Sequence, residues 1–408
     1  MLHTSDWHLG HRLYERERRE EQAMALDWLL QTIEAEKIEL LIVAGDIFDL
    51  TNPPNYAREQ YYDFLGRLRT TGCRQVVIIG GNHDSPSMLD APAALFRHFA
   101  IHVVGGATEN LADELIPILD AKGKVAGQVA AVPFLRDRDL HYSLAGESAQ
   151  DREKRLQEGI RAHYHELAEL LAAQEKTGPF IATGHLYARG AESAARQDNI
   201  YIGSRENIYA EQFPALFDYV ALGHIHRPQK VGGLDKIRYS GSLIPLDFSE
   251  TVDEKSVVII DFSKQEPLQE IVAVPRFRRL KSIRGNLEEV KSALERFLAK
   301  RLIEQESLPP WLEIRVETNK PIPSLRDLIE GVIDGRSAEI LALRLERKQR
   351  TGQLEEALLP DLDELDPELV FTQLIRGEEA EPAEGEVELM SSFKELQNWM
   401  QEQDKSEG

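Results

Sequence analysis

The chain has 408 residues, 42% hydrophobic and 29% charged, ordinary proportions for a globular protein able to bury one large core and one or two smaller ones. Cys73 is the single cysteine, which excludes an intrachain disulfide; with no signal-peptide pattern ahead of His3 and no apolar run long enough to span a bilayer, a reducing cytoplasmic setting is expected. The formal charge of −22 argues at first sight against nucleic acid, whose binders usually carry a basic surplus.

Residues 40–44 and 76–79 are short, fully apolar runs, as in strands covered on both faces. Tyr61, Leu65 and Leu68 recur between them at helical spacing, as Ala23, Leu26, Leu30 and Ile33 do ahead of them. The resulting βαβαβ series predicts a parallel sheet. A helix carrying Leu156, Ile160, Tyr164, Leu167 and Leu171 then leads to two more apolar runs, 180–182 and 219–222. Residues 237–239 and 257–260 read as closing strands, and the first domain is expected to end near 269. Residues 276–350 form a second, small α/β unit. It has a strand over 276–283, a helix capped by Asn286, a break at Pro309-Pro310, a strand over 311–316, a short helix and a last strand over 339–345. Beyond 350 two amphipathic helices are expected, one with Leu369, Val370 and Leu374, the other with Leu389, Phe393, Leu396, Trp399 and Met400. The acidic connector 378–388 separates them.

The chemistry sits where apolar runs stop. Asp6 and His8 follow the N-terminal strand, Asp46 the next, and Asn82, His83 and Asp84 the third; His185 follows 180–184, and His224 and His226 follow Leu222-Gly223. Ligands of an α/β sheet collect outside the carboxyl ends of its strands, so these side chains should converge on one rim. Carboxylates, imidazoles and one amide without thiolate suit manganese, iron or zinc in a catalytic rather than a structural site. They are too many for one ion, and two ions roughly 3.5–4 Å apart would use them all. Asp46 is the natural bridge, because Gly45 lets the backbone approach closely. His83 is placed to contact a phosphate or protonate a leaving oxygen, with Asp84 holding its tautomer. Each motif alone is a turn in most chains; five in order at strand ends are a metal site. The remaining histidines, 3, 11, 98, 102, 141, 163 and 165, read as surface or core residues; Asp49 either reaches the site or caps the following turn, and is left out of the metal shell.

The ordered set Asp-x-His, Gly-Asp-x-x-Asp, Gly-Asn-His-Asp, Gly-His and Gly-His-x-His resembles the calcineurin-like metallophosphoesterase superfamily. Within it, His3-Thr4-Ser5-Asp6-Trp7-His8-Leu9-Gly10, Gly81-Asn82-His83-Asp84-Ser85 and Gly184-His185-Leu186-Tyr187-Ala188-Arg189-Gly190 are most similar to the bacterial SbcD nuclease subunits, as is Tyr239-Ser240-Gly241-Ser242 with Phe248-Ser249-Glu250. The resemblance implies an α/β fold, a calcineurin-like metallophosphoesterase β-sandwich with flanking helices, over 1–269. To this it adds a small α/β DNA-capping domain at 276–350 and a helical C-terminal tail, 351–408, that docks an ATPase; the other reading of those helices is that they fold back on their own domain. It implies one ion on Asp6, His8, Asp46 and His226, a second on Asp46, Asn82, His185 and His224, and His83 as catalytic histidine with Asp84 its partner. The ions would be two Mn2+, the reaction cleavage of DNA ends and hairpins in repair and recombination, and the partner an SbcC-type ATPase around a dimer of nuclease subunits. No Gly-x-x-x-x-Gly-Lys-Ser/Thr loop is present, consistent with ATP being bound elsewhere. Other readings of the same residues are a phosphoesterase for small phosphoesters or cyclic nucleotides, and a scaffold without catalysis.

The charge divides unevenly. Residues 351–408 hold 3 basic and 17 acidic side chains, net −14, whereas 270–350 hold 17 and 13, net +4. In the latter Arg276, Arg278, Arg279, Lys281 and Arg284 make a basic stripe expected to meet a phosphate backbone.

Overall fold

The strand Leu40–Ala44 is buried along its whole length because its two faces serve two cores. Leu41 and Val43 pack under helices, while Leu40, Ile42 and Ala44 face a second sheet. In the computed structural model, which describes residues 1–140, 148–189, 207–264, 267–301, 307–320, 322–336, 338–346, 389–390 and 392–393, two six-stranded sheets lie on either side of that second core. In the first sheet the spatial order is Leu268–Ala273, Ser256–Asp261, Leu2–Thr4, Leu40–Ala44, Gln75–Ile79 and Ile101–Val104. The last four run parallel, and Ser256–Asp261 is antiparallel to both its neighbours. Gln229–Val231, Leu234–Tyr239, Tyr219–Gly223, Phe180–His185, Val125–Ala130 and Leu115–Leu119 make the second, with its inner four parallel.

Helices Arg19–Ala35 and Asn55–Leu68 cover the outer face of the first sheet through Leu26, Leu29, Leu30, Ile33, Tyr61, Phe64, Leu65 and Leu68. Helix Ala149–Ala172 covers the second with Ile160, Tyr164, Leu167 and Leu171. The fold is therefore an α/β sandwich of two mixed sheets between helices. The parallel series expected from the N-terminal sequence is found in the first sheet, where it runs to one edge. The closing strand near 257–260 returns to the first sheet beside Leu2–Thr4, and that sheet's edge strand runs to Ala273, past the expected end at 269. Among the described residues no helix is long and apolar enough to cross a membrane.

Residues 280–346 build a three-stranded parallel sheet, Leu280–Gly285, Trp311–Glu317 and Glu339–Glu346. Its helices, Leu287–Arg301 and Leu325–Ile333, enclose a core of Ile283, Val290, Leu294, Leu298, Leu312, Ile314 and Ile329. Asn286 caps the first helix as expected: its Oδ1 accepts from the backbone of Glu288 and Glu289, and the Glu289 carboxylate accepts in turn from the Asn286 N–H. The strand expected over 276–283 starts only at Leu280, because Arg278 turns inward. Its guanidinium stacks 4.2 Å over the Trp311 ring, donates to the Pro309 carbonyl and lies 3.7 Å from Glu21. Contact-wise, residues 1–348 form one compact unit. The helices expected beyond 350 and their connector lie outside the described residues, apart from 389–390 and 392–393.

Trp311 is the anchor of this small sheet on the rest of the unit. It is buried with Leu13, Phe248 and Leu280, and the buried Arg18 guanidinium approaches its ring to 5.9 Å. Trp311→Ala removes that filling and is expected to destabilise the chain by about 3–5 kcal/mol, measured by chemical denaturation; a loss below about 1 kcal/mol would show that the contact is dispensable.

Candidate metal centre

The apolar strands deliver their polar ends to one place through strained turns. Asp6, His8, Asp46 and His224 all have left-handed backbone, with φ of 52°, 45°, 48° and 98°. Such conformations cost non-glycine residues roughly 1–3 kcal/mol each and persist only where the surroundings enforce them. Here the enforcement is a backbone ladder continued beyond the strands: Asp6 N–H donates to the Gly45 carbonyl and His8 N–H to that of Asp46, both at 3.0 Å. Glycines supply the room. A side chain on Gly81 would meet Asp46 Oδ1 at 2.1 Å, and one on Gly223 would meet the Ala44 carbonyl at 1.9 Å.

The structure brings together all seven of the expected ligands. His8 Nε2 lies 3.2 Å from His226 Nε2 and 3.5 Å from Asp46 Oδ2. Asp46 Oδ2 is also 3.2 Å from His185 Nε2, which is 3.0 Å from Asn82 Oδ1, and that oxygen is 2.9 Å from His224 Nδ1. Asp6 stands between the halves. It shares candidate cation clusters with His8 and His226 and with Asp46 and His185, the ligand atoms in each lying within 4.8 Å of one another, and it accepts from the His224 N–H. Asp6 and Asp46 are buried, as are His8, His185, His224 and His226.

The hydrogen bonds fix which ring nitrogens carry protons. His8 Nδ1 faces the Asp49 carboxylate at 3.1 Å and His226 Nδ1 faces Glu250 at 2.9 Å, so both rings hold their proton there. Their Nε2 atoms then face each other. His185 Nδ1 donates to the Ala44 carbonyl, and its Nε2 faces Asn82 Oδ1 and Asp46 Oδ2. Imidazole nitrogens, carboxylates and an amide oxygen converging in this way form a ligand set that fits divalent cations. Burial opposes charging of His185, yet the Asp46 carboxylate outweighs it and raises its pKa to about 9. Asp46 itself, despite burial, is held well below the usual range by His185 and His8.

His83 stands at the mouth of this cluster, its ring centroid 4.9 Å from that of His8. Asp84 does not hold it. The Asp84 carboxylate turns inward, fully buried, and accepts from the backbone N–H groups of Ile47, Phe48 and Gly81 at 2.9–3.1 Å. Burial and the nearby Asp46 raise its pKa to about 6. It therefore ties the Asp46 loop to the Asn82 loop, and the Nδ1 of His83 is met instead by the Asp49 carbonyl at 2.8 Å. Asp49, set outside the metal shell on sequence grounds, orients His8 through its carboxylate and His83 through its carbonyl. Glu250, which sequence reasoning did not single out, does the same for His226; the Phe248-Ser249-Glu250 wording was its one trace. Of the other histidines, His3 bonds Tyr219 in the core and His163 bonds the buried Glu114.

The basic stripe is not continuous. Arg276 and Lys281 are exposed and Arg279 is half-buried. Arg278 is buried against Trp311, and Arg284 is paired with Glu317 and Glu346 at 2.9 and 3.1 Å. Arg278 is thus committed to the fold, while Arg284 is exposed but paired with two carboxylates.

Comparison with known proteins matches the profile of the calcineurin-like phosphoesterases to residues 1–228, and that described as the type 5 capsule protein repressor C-terminal domain to residues 276–379. Similar proteins are the SbcD chains of the SbcCD nuclease. That of Escherichia coli K12 is 35% identical over 94% of both chains, and that of Rhodobacter capsulatus 32% identical over 91% of this chain and 93% of its own. That of Bacillus subtilis is 35% identical over 64% of this chain and 66% of its own.

Gly81→Ala drives a methyl group into Asp46 and should abolish divalent-cation binding in calorimetry while secondary structure by circular dichroism is kept. Unchanged affinity would show that Asp46 does not need that approach.

Proposed function

Because this chain belongs to the calcineurin-like phosphoesterases and, within them, to the SbcD family of SbcCD nuclease chains, we propose that its nuclease site holds two manganese ions and cleaves the ends and hairpins of duplex DNA together with an SbcC-type ATPase. The observation that carries this reading is the meeting of His8, His226 and His185 Nε2 atoms with the Asp46 and Asn82 oxygens on one rim, beside a further imidazole, His83, whose ring lies 4.9 Å from that of His8 and whose ligand atom lies within 4.8 Å of those of His8 and Asp49.

In this reading Asp6, His8, Asp46 and His226 hold one ion and Asp46, Asn82, His185 and His224 the other. Divalent ions held there would supply Lewis-acid activation of water and neutralisation of phosphoryl charge. The chain's own groups do the rest. Asp49 and Glu250 keep the protons of His8 and His226 on Nδ1, so that Nε2 remains a ligand. His83, its Nδ1–H held by the Asp49 carbonyl, has Nε2 available to take up a proton and pass it to the departing oxygen. Asp84 keeps the two ligand-bearing loops in register and takes no part in proton transfer.

The remaining assignments rest on family membership and charge. Residues 1–269 supply the nuclease, 276–350 a DNA-capping domain that meets the phosphate backbone through exposed cations such as Arg276 and Lys281, and 351–408 the helices that dock the ATPase. Two nuclease subunits with the ATPase would form a heterotetramer acting in the cytoplasm, in DNA repair and recombination. A chain this acidic grips DNA weakly alone, and the ATPase supplies the rest of the affinity.

The test is degradation of linear and hairpin duplex DNA by the purified chain with its ATPase partner and manganese. His83→Ala should keep metal affinity and lose about 10²- to 10⁴-fold in turnover. Intact DNA alongside rapid hydrolysis of a small phosphoester or cyclic nucleotide would overturn the nuclease reading. Near-normal cleavage by the variant would remove His83 from its role.

A further inference from the structure

Glu250 lies 24 residues beyond His226 in sequence and on a short 3₁₀ turn, Phe248–Val252. Its carboxylate is buried, and both oxygens are used. Oε1 faces His226 Nδ1 at 2.9 Å. Oε2 accepts from Lys255 Nζ at 2.7 Å and from the Leu246 N–H at 3.1 Å. Lys255, itself buried, gives a second bond to the His226 carbonyl at 2.9 Å. Side chain and backbone of His226 are thus gripped from one direction by a single buried ion pair. Phe248, at the start of the same turn, packs with Leu13, Leu280 and Trp311, which ties the turn to the small sheet.

From this geometry we propose that Glu250 is a positioning residue for the metal centre: it fixes the proton of His226 on Nδ1 and so delivers a Nε2 lone pair to the divalent cation. The proposal rests on the reading of His226 as a ligand. Two features separate it from mere packing. A neutral imidazole has one proton, and the nitrogen that carries it is decided by the partner of the other. Second, the two donors on Oε2, Lys255 and Leu246, dictate which atom of an amide could occupy Glu250's place. In Glu250→Gln the amide oxygen is claimed by those donors, and the NH2 group is left against His226 Nδ1. That inverts the tautomer and puts Nε2–H where the cation must sit, next to His8 Nε2. An isosteric change should then be as damaging as truncation.

The experiment is calorimetric titration of the full chain with manganese, alongside ¹⁵N-histidine spectra of the metal-free protein. Glu250→Gln and Glu250→Ala should each weaken one manganese site by about 10- to 100-fold, and the Gln variant should show the His226 proton moved to Nε2. Glu250→Asp, which keeps the charge on a shorter arm, should lose less, and it stands in should either of the others fail to fold. His226→Ala is the reference and should lose the same site. Wild-type manganese affinity in Glu250→Gln, with that site lost in His226→Ala, overturns the proposal and leaves the metal centre intact. Wild-type affinity in His226→Ala as well overturns the ligand assignment and the proposal together.

Discussion

The fold turns on one constraint: ionisable and polar side chains from five separate segments are brought together in a buried space. His8 and His226 bring their Nε2 atoms to 3.2 Å, and His185 Nε2 faces Asn82 and Asp46. Such an arrangement persists only where the surrounding structure enforces it. It is held open by the rigidity of two sheets whose strands end there, by the three backbone N–H groups that lock Asp84, and by the carboxylates behind His8 and His226. The left-handed residues Asp6, His8, Asp46 and His224 are the local expression of that constraint.

The ligand set was legible in the sequence because the relevant physics is local. A β-branched run followed by glycine and a polar residue is a strand ending in a turn, and parallel strand ends meet on one rim. The supporting groups were not legible, because their roles depend on pairings remote in sequence. Asp84 follows His83 directly, so adjacency suggested a partnership; backbone direction instead sent the carboxylate inward to the Asp46 loop. Asp49 and Glu250 are two among 70 acidic side chains, with nothing in their spacing to mark which faces an imidazole. Arg278 read as one cation of a stripe, and only the approach of Trp311 and Glu21, both far from it in sequence, shows it to be interior. Among the elements, the strands Leu115–Leu119 and Val125–Ala130 escaped notice. Pro117 and Gly127 interrupt their patterns, which an outer strand and its neighbour tolerate.

The small sheet is joined to the candidate site through the two-stranded hairpin that follows His8, in which Arg12–Leu13 pairs antiparallel with Arg16–Glu17. Tyr14 donates to Glu313 at 2.8 Å and lies under the Arg344 guanidinium, and its ring tilts against Phe248, two residues before Glu250. Gln22, near the start of the helix beyond that hairpin, donates to the His8 carbonyl and accepts from the Gly10 N–H. Both His8 and the support of His226 are therefore contiguous with surfaces that touch residues 280–346. The acidic surplus of the chain is largest in its last 58 residues, net −14, whereas Arg276, just ahead of the small sheet, and Lys281, within it, stand exposed.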